Sequence, residues 1–260
     1  MNSILLSFDL EEFDIPEEFG QKLSNEEKMN ITLSGLIPVL QLLDKHNIKA
    51  TFYTTAFFAE TNPEIVKKVA EKHEIASHGF YHSSFQTDHI AKSKEVLEKI
   101  TSTAVKGFRM TRLMPVDKSL LVNAGYIYDS SLNPTFIPGR YNNMGKPRKP
   151  FNAGGLINLP ASVATFIRIP LFWISFKNFP FNFFNALALR TLKKDKYLNL
   201  YFHPWEFADI SSYKLPGYVK RISGKEMLVK FEKLLVSLKE QGEFVGTSAY
   251  CDFYLKNAAK

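Results

Sequence analysis

The chain has 260 residues, of which 45% are hydrophobic and 23% are charged. This composition is typical of a folded globular protein and argues against a disordered, collagenous or coiled-coil chain. The single cysteine excludes an internal disulfide framework and an all-thiolate zinc site, so histidines and carboxylates would have to hold any metal. The net charge of +7 is compatible with an anionic partner, but no basic arm is present, and we expect no nucleic-acid binding.

The first residues contain neither a basic segment nor a long apolar run, so we expect no secretory signal and a cytoplasmic location. The most apolar region is interrupted by Arg168, Pro170, Lys177 and Pro180, and for this reason we expect no membrane-spanning helix. No internal repeat or inter-domain linker is visible, which predicts one domain over residues 1–260.

Apolar patterns typical of strands and helices alternate along the chain. The first predicted strand is 4–10, followed by a helix that begins at Ser24 or Asn25 and has a kink or a break at Pro38. Further strands are predicted at 48–54, 75–78, 105–108, 126–129, 156–159, 197–202 and 244–247, and further helices at 63–72, 93–102, 118–124, 181–192 and 224–241. Residues 133–155 are rich in proline and glycine and predict a loop near the mouth of a site. The alternation favours a parallel sheet closed into a (β/α) barrel.

Two histidines follow the strand predicted at 75–78. His78 and His82 are four residues apart, and on a helical turn this spacing directs both imidazoles to one face, where they can bind a single ion. The alternative is a pair of unrelated surface histidines at the start of a helix. Their position after a strand favours the metal interpretation.

Acidic residues follow the first strand. Asp9 and Glu11 are two residues apart, so alternation places them on one side of its carboxyl end, where barrel enzymes carry catalytic groups. Glu12 and Asp14 are rivals of Glu11 as an acidic ligand, since a turn beginning here would remove the alternation. The alternative is that these acidic residues cap a helix or lie in a solvated loop and have no catalytic role.

Two further candidates also follow strands. His203 comes after the apolar strand 197–202, and Trp205 beside it would shield the imidazole and hold its pKa near the value that general acid catalysis needs. Arg109 follows the strand 105–108, where a fixed guanidinium would pair with a carboxylate and keep it ionised. An ordinary surface ion pair is the alternative for Arg109.

In their order along the chain, these segments resemble the polysaccharide deacetylases of carbohydrate esterase family 4, which have the NodB-like fold. The resemblance is carried by residues 7–11 (SFDLE), 50–54 (ATFYT), 77–82 (SHGFYH), 107–109 (GFR), 125–131 (GYIYDSS), 156–160 (LINLP), 201–206 (YFHPWE) and 244–248 (FVGTS). It implies a distorted (β/α) barrel of about seven parallel strands, and a divalent metal ion, often zinc or cobalt, bound by one acid and two histidines.

The resemblance also implies the role of each candidate. The metal ligands would be Glu11, His78 and His82, the general base Asp9, its orienting partner Arg109 and the general acid His203. The first motif here is Asp-x-Glu, whereas the commoner family form has two adjacent aspartates. This difference leaves the choice of the acidic ligand open.

The activity implied is a metal-dependent hydrolysis that removes N-acetyl (or O-acetyl) groups from sugar residues of a polysaccharide or its precursor. One alternative is hydrolysis of another amide by the same fold, such as deformylation of a lipid-linked amino sugar. Another is a catalytically silent carbohydrate-binding protein, although the presence of an acid, a base and three ligand residues together argues against silence.

Residues 166–184 are unusually aromatic and have no simple catalytic role. The simpler interpretation is a segment that packs over the barrel and shapes the cleft. The alternative is peripheral contact with the inner face of the membrane. That contact would be made by Arg168, Phe172, Trp173, Phe176, Lys177, Phe179 and Phe183.

Overall fold

Ser3–Leu10 is apolar at most positions and forms a strand that is buried along its whole length, as expected for the middle of a parallel sheet. The computed structural model describes residues 2–258. The strands are β1 (Ser3–Leu10), β2 (Thr51–Thr54), β3 (Glu74–Ser77), β4 (Gly107–Phe108), β5 (Tyr128–Asp129), β6 (Phe136–Ile137), β7 (Tyr141–Asn142), β8 (Phe151–Ala153), β9 (Leu156–Asn158), β10 (Tyr197–Phe202) and β11 (Glu243–Phe244).

The main sheet has the strand order β10-β1-β2-β3-β4-β5-β9-β8, and β11 pairs with the start of β1. Every neighbouring pair from β10 to β9 is parallel, and β8 joins β9 antiparallel. The backbone N–H of Ser162, just after β9, donates to the carbonyl oxygen of Asn199 in β10 at 2.9 Å, which links the two ends of the parallel set. Over residues 2–258 this set contains seven strands, and the predicted distorted (β/α) barrel is confirmed.

Helices cover the sheet. They are α1 (Asn25–Lys45), α2 (Ala56–Thr61), α3 (Pro63–Ala70), α4 (His89–Thr101), α5 (Lys118–Asn123), α6 (Trp173–Asn178), α7 (Phe181–Asp195), α8 (Gly217–Lys220), α9 (Gly224–Lys239) and α10 (Thr247–Ala258). Short 3-10 helices occur at Ile15–Phe19, Thr111–Leu113 and Pro204–Phe207. Among the helices of residues 2–258, none has both the length and the apolar character required to span a bilayer.

Helix α1 holds the segment that follows β10 in place. It begins behind Ser24, whose Oγ accepts the backbone N–H of Glu27 at 3.1 Å, and it runs through Pro38 as one helix, so the predicted alternative of two helices is wrong. Gly35 lets α1 approach the 3-10 helix after β10 closely, because a Cβ at this position would lie 1.9 Å from the carbonyl oxygen of Pro204. This close packing fixes the backbone next to His203.

Several predicted elements differ from those in the structure. The strands predicted at 48–54, 105–108 and 126–129 begin later than expected, and α2, α6, α8 and α10 were not predicted. The strand predicted at 244–247 is wrong at its end, because pairing stops at Phe244 and Thr247 begins α10. The predicted loop 133–155 contains the hairpin β6–β7 and the strand β8, which turns into β9 through Gly154 and Gly155 at φ of 62° and 78°.

Candidate active site

The carboxyl ends of four strands of the main sheet bring the candidate residues together. Asp9 is the penultimate residue of β1, and Glu11 is the first residue after that strand. His78, Arg109 and His203 are the first residues after β3, β4 and β10. Because parallel strands end at the same edge of a sheet, these side chains meet at one mouth of the barrel. All five residues are buried.

Glu11, His78 and His82 point polar atoms at one place. The Oε2 atom of Glu11 lies 3.1 Å from Nε2 of His78 and 3.2 Å from Nε2 of His82, and the two imidazole rings are stacked with centroids 5.9 Å apart. Burial opposes the ionisation of Glu11, but the neighbouring histidines hold its pKa below the ordinary value. Two imidazole nitrogens and one carboxylate oxygen are a typical donor set for a catalytic zinc ion with an open coordination position.

The outer nitrogen of each imidazole is already engaged. Nδ1 of His78 lies 2.9 Å from the carbonyl oxygen of Arg109, and Nδ1 of His82 lies 2.7 Å from Oδ1 of Asp14. Both oxygens only accept, so each Nδ1 carries a proton. When the rings are neutral, each Nε2 then presents its lone pair. Arg112 in turn binds Asp14 at 3.3 Å. The donor set therefore fits a divalent ion held by Glu11 and the two histidines.

The histidines converge without the helical turn that their spacing suggested. Residues 78–88 form a loop, and α4 starts only at His89. Gly79 turns the chain with φ of 80°, and the backbone N–H of His82 donates to Oε1 of Glu12 at 3.4 Å. The interpretation of His78 and His82 as two positions of one helical turn was wrong, although the predicted meeting of the rings occurs.

The three acidic candidates have different surroundings. Glu11 alone among them places an oxygen near both Nε2 atoms. Glu12 instead accepts the hydroxyl of Thr55 at 2.6 Å, and burial raises the pKa of its carboxyl. Asp14 orients His82 from the far side of the ring. This geometry favours Glu11 as the acidic ligand and gives Glu12 and Asp14 supporting contacts.

Asp9 forms a buried ion pair with Arg109. Nη1 of Arg109 lies 2.5 Å from Oδ1 of Asp9, and the guanidinium stacks on the Tyr53 ring at 3.8 Å. Burial alone would raise the pKa of Asp9, but Arg109, together with His78 and His203, holds it below the ordinary value. The other oxygen, Oδ2, lies 3.8 Å from Nε2 of both histidines. Asp9 is thus an ionised carboxylate at the site.

His203 lies in a pocket of aromatic rings. Trp205 stacks on it with ring centroids 4.8 Å apart, and the edge of Trp173 contacts it from another side. Nδ1 of His203 lies 3.0 Å from Oε1 of Glu206, and this carboxylate, together with Glu11, raises the pKa of His203 against the effect of burial. The predicted shielding by Trp205 is present, whereas the partnership with Glu206 was not predicted.

A further group beneath His203 comes from the aromatic segment. Lys177 is buried, donates to the carbonyl oxygen of Val219 at 2.8 Å, and lies 3.8 Å from Oε2 of Glu206. Burial lowers the pKa of Lys177, and Glu206 opposes that effect. One oxygen of Glu206, Oε2, therefore lies near the Lys177 ammonium, and the other, Oε1, contacts His203.

Asp9, Glu11, His78, His82 and His203 line a cavity of about 460 Å³. Its walls include the aromatic side chains of Tyr141, Phe172, Trp173, Tyr201, Trp205 and Tyr218. Residues Ile137–Tyr141 come from the segment 133–155, so the predicted position of that loop near the mouth is confirmed. A pocket of this size with aromatic walls and a few polar groups is typical of a small-molecule site.

Burial excludes much of the predicted membrane-contacting set. Phe172, Trp173, Phe176 and Lys177 are buried, with exposed fractions of 8% or less, and cannot touch a bilayer. Their inclusion was wrong, because these side chains pack around β10 and the site. Phe183 remains exposed.

A parallel (β/α) barrel with a buried Asp–Arg pair and an acid–histidine cluster at its carboxyl mouth has the architecture of the NodB-like deacetylases. The family model for polysaccharide deacetylase matches residues 36–126 of this chain. The match contains three of the candidate residues, His78, His82 and Arg109. The resemblance found in the sequence is thereby confirmed.

Two curated relatives match over short stretches. One stretch of 75 residues is 28% identical to the peptidoglycan-N-acetylmuramic acid deacetylase PdaA of Bacillus subtilis and covers 28% of this chain and 28% of that relative. Another of 79 residues is 34% identical to a peptidoglycan-N-acetylglucosamine deacetylase of Bacillus cereus and covers 27% of this chain and 29% of the relative. The matches thus span less than a third of either relative's length.

Solved structures with the same fold extend over nearly the whole chain. A polysaccharide deacetylase structure from Mycobacterium smegmatis superposes with a TM-score of 0.66 at 19% identity and covers 98% of this chain and 91% of that one. A CE4 family pseudoenzyme from Bacillus anthracis superposes with a TM-score of 0.52 at 14% identity and covers 94% of this chain and 63% of that one. At such identities the likeness shows the fold, and the reaction has to be argued from the site.

Proposed function

We propose that this protein is a metal-dependent hydrolase that removes N-acetyl (or O-acetyl) groups from sugar residues of a polysaccharide or its precursor. The observation that carries the proposal is the convergence, at one cavity, of a metal-type donor set, an ionised carboxylate and a buried histidine. Glu11, His78 and His82 would hold the ion. When bound there, a divalent ion such as zinc supplies Lewis acidity and lowers the pKa of water.

Asp9 is placed to act as the general base. Its carboxylate lies next to the donor set, and Arg109 keeps it ionised at neutral pH. It would accept a proton as water adds to the acetyl carbonyl carbon. Because the guanidinium is fixed by Ser7 and Ser130, at 3.0 and 3.1 Å, the accepting oxygen is held still. A positioned base of this kind contributes about 10²–10⁴-fold to the rate.

His203 is placed to act as the general acid. Its Nε2 lies 3.8 Å from Oδ2 of Asp9, whereas Arg109 contacts the other oxygen, Oδ1. Glu206 accepts from Nδ1 of the ring and stabilises the imidazolium form. As the carbon–nitrogen or carbon–oxygen bond breaks, Nε2 would give its proton to the departing amine or alkoxide. The products are acetate and the free sugar group.

The cavity walls support a sugar substrate. Aromatic rings such as Trp173 and Tyr141 offer flat apolar surfaces against which a sugar ring can stack. Trp205 also donates through Nε1 to Oε1 of Glu11 at 3.3 Å, which fixes the carboxylate that would bind the ion. Trp173 of the aromatic segment thus helps to shape the cavity, and Trp205 orients a candidate ligand.

The proposal is tested by metal content and product release. We expect the purified chain to bind about one divalent ion and to release acetate from chitin oligomers or peptidoglycan fragments. Asp9→Asn should lower kcat by about 10²–10⁴-fold. The same change at the exposed residue Asp209 is the matched control and should leave kcat unchanged.

Three results would contradict the proposal. Release of formate from N-formyl sugars without acetate from any acetylated sugar would favour a deformylase. A protein that binds metal and sugars but releases neither acid would be a binding protein. Full activity in Asp9→Asn, with the fold checked by circular dichroism, would remove the proposed base.

A further inference from the structure

An apolar turn projects from the aromatic segment. Phe166 and Ile167 have exposed fractions of 67% and 66%, the highest of the large apolar side chains recorded as exposed in residues 2–258. The turn is tight, because the backbone N–H of Arg168 donates to Ala164 at 3.0 Å and that of Ala164 donates to Ile169 at 2.8 Å. Two adjacent apolar side chains are thus held at the tip of an ordered turn.

Positive charge surrounds this tip. The guanidinium of Arg190 lies 4.4 Å from the centre of the Phe166 ring, and Nζ of Lys194 lies 4.7 Å from it. Both cations belong to α7, and Phe183, 46% exposed, lies two helical turns before Arg190 on the same face. We call Phe166, Ile167, Phe183, Arg190 and Lys194 the tip patch. It combines exposed apolar side chains with cations at their edge.

We propose that the tip patch docks this protein onto an anionic lipid bilayer. Apolar side chains on a rigid turn can enter the boundary between headgroups and acyl chains, and lysine and arginine beside them match anionic headgroups. The net charge of +7 would add long-range attraction to such a surface. The inference does not depend on the reaction proposed above.

The tip patch is connected to the cavity walls. The guanidinium of Arg168 donates to the carbonyl oxygens of Pro134 at 3.0 Å and Lys146 at 2.8 Å, and the hydroxyl of Thr135 donates to the carbonyl oxygen of Arg168 at 2.8 Å. The segment 133–155 held in this way contributes Ile137–Tyr141 to the cavity. Docking of the tip would therefore bring the candidate active site close to the bilayer surface.

The proposal is tested by co-sedimentation of the full chain with vesicles of phosphatidylcholine, with and without phosphatidylglycerol. We expect binding to the mixed vesicles and at least tenfold weaker binding to phosphatidylcholine alone. The double variant Phe166→Ser with Ile167→Ser should bind the mixed vesicles at least about tenfold more weakly, since it removes two apolar side chains. Arg190→Gln with Lys194→Gln should weaken binding by about fivefold for each cation removed.

The matched control is Phe253→Ser with Leu255→Ser, an aromatic and aliphatic pair on α10 in which each side chain is 44% exposed. It should bind the mixed vesicles like the unchanged chain. Failure of the unchanged chain to bind anionic vesicles would overturn the proposal, as would an equal loss in the tip and control variants. Self-association that requires Phe166 and Ile167, without vesicle binding, would instead assign the patch to a second copy of the chain. Thermal unfolding checks that all variants are folded. If Phe166→Ser with Ile167→Ser does not fold, Arg190→Gln with Lys194→Gln provides a second test.

Discussion

Arg109→Met should destabilise the protein strongly, because it leaves the Asp9 carboxylate buried without its partner. Arg109 is 1% exposed and Asp9 is 3% exposed. Methionine keeps the apolar part of the side chain and removes the guanidinium, so the change is chiefly in charge and hydrogen bonding. Breaking a buried ion pair by removing one partner costs about 3–5 kcal/mol.

The structure allows the cost to be assigned mainly to that carboxylate. The hydroxyls of Ser7 and Ser130 lose the guanidinium as a donor, but each still donates to a carbonyl oxygen, of Leu200 and Leu159, at 3.1 Å. Loss of the cation over the Tyr53 ring adds about 1–2 kcal/mol. We therefore expect the free energy of unfolding to fall by about 4–7 kcal/mol in total.

The assay is urea unfolding of chelator-treated protein, since a cation near Asp9 would replace part of the lost charge. With an m value of about 3 kcal/mol/M, the unfolding midpoint should fall by about 1.3–2.3 M. Adding Asp9→Asn to Arg109→Met should restore at least about 2 kcal/mol, because the stranded charge is then gone. A midpoint shift below about 0.5 M, or strictly additive costs of the two changes, would refute the reasoning.

Three other perturbations test separate parts of the fold. Asp14→Leu should lower metal affinity by about 10–100-fold, because His82 loses the acceptor that orients its ring, and competition with a chelator measures the change; unchanged affinity would deny Asp14 this role. Burial lowers the pKa of His73 to about 4, and because the unfolded chain then binds its proton more tightly, stability should be lost as pH falls from about 6.5 towards 4. Urea unfolding at pH 7 and at pH 4.5 measures the free energy of unfolding lost between the two pH values. This loss should be smaller in His73→Asn than in the unchanged chain by about 1–2 kcal/mol, after allowance for solvent screening. An equal loss in the variant and the unchanged chain would contradict the prediction. Gly35→Ala should lower the free energy of unfolding by about 3 kcal/mol or more, because the added Cβ would clash with the segment after β10, although alanine favours helices by about 1 kcal/mol. Gly145→Ala, with open space at its Cβ, is the control and should change stability by less than about 0.5 kcal/mol. Equal thermal stability of the two variants would argue against the clash.

The positions of most candidate residues could be predicted because they depend on strand ends. An apolar run that stops at a polar residue is visible in sequence, and Asp9, His78, Arg109 and His203 all lie at such a place. A parallel sheet then brings the ends together without further information. Their chemical roles stay predictions until activity and metal content are measured.

The contacts that orient these residues could not be predicted. Asp14 is 68 residues from His82 along the chain, yet its carboxylate fixes the ring, and a turn at Gly79 replaces the expected helix. Such contacts depend on how loops from different strands pack, and local spacing carries no signal for them. The meeting of His78 and His82 was therefore predicted from a wrong local structure.

Two missed elements did leave signals in the sequence. The pair Gly154–Gly155 between short apolar runs is typical of a two-residue hairpin turn and could have predicted the antiparallel pairing of β8 with β9. In α10, aromatic side chains at Tyr250, Phe253 and Tyr254 have helical spacing, which argues against a strand ending the chain. Greater weight on these patterns would have predicted the β8–β9 hairpin and α10.

The aromatic segment 166–184 shows why composition alone cannot assign a role to a stretch of chain. Both of its parts contain aromatic and basic residues, and they differ in where the cations find partners. Lys177 lies inside the protein, bonded to a carbonyl oxygen and close to Glu206, so the rings near it must also be buried and serve the candidate site. At Phe166 the neighbouring cations, Arg190 and Lys194, come from the exposed face of α7, and the ring stays in solvent. The partner of each cation therefore decides that the part around Lys177 shapes the cavity and that the part around Phe166 faces outward. That partner depends on the fold and is not visible in the local sequence.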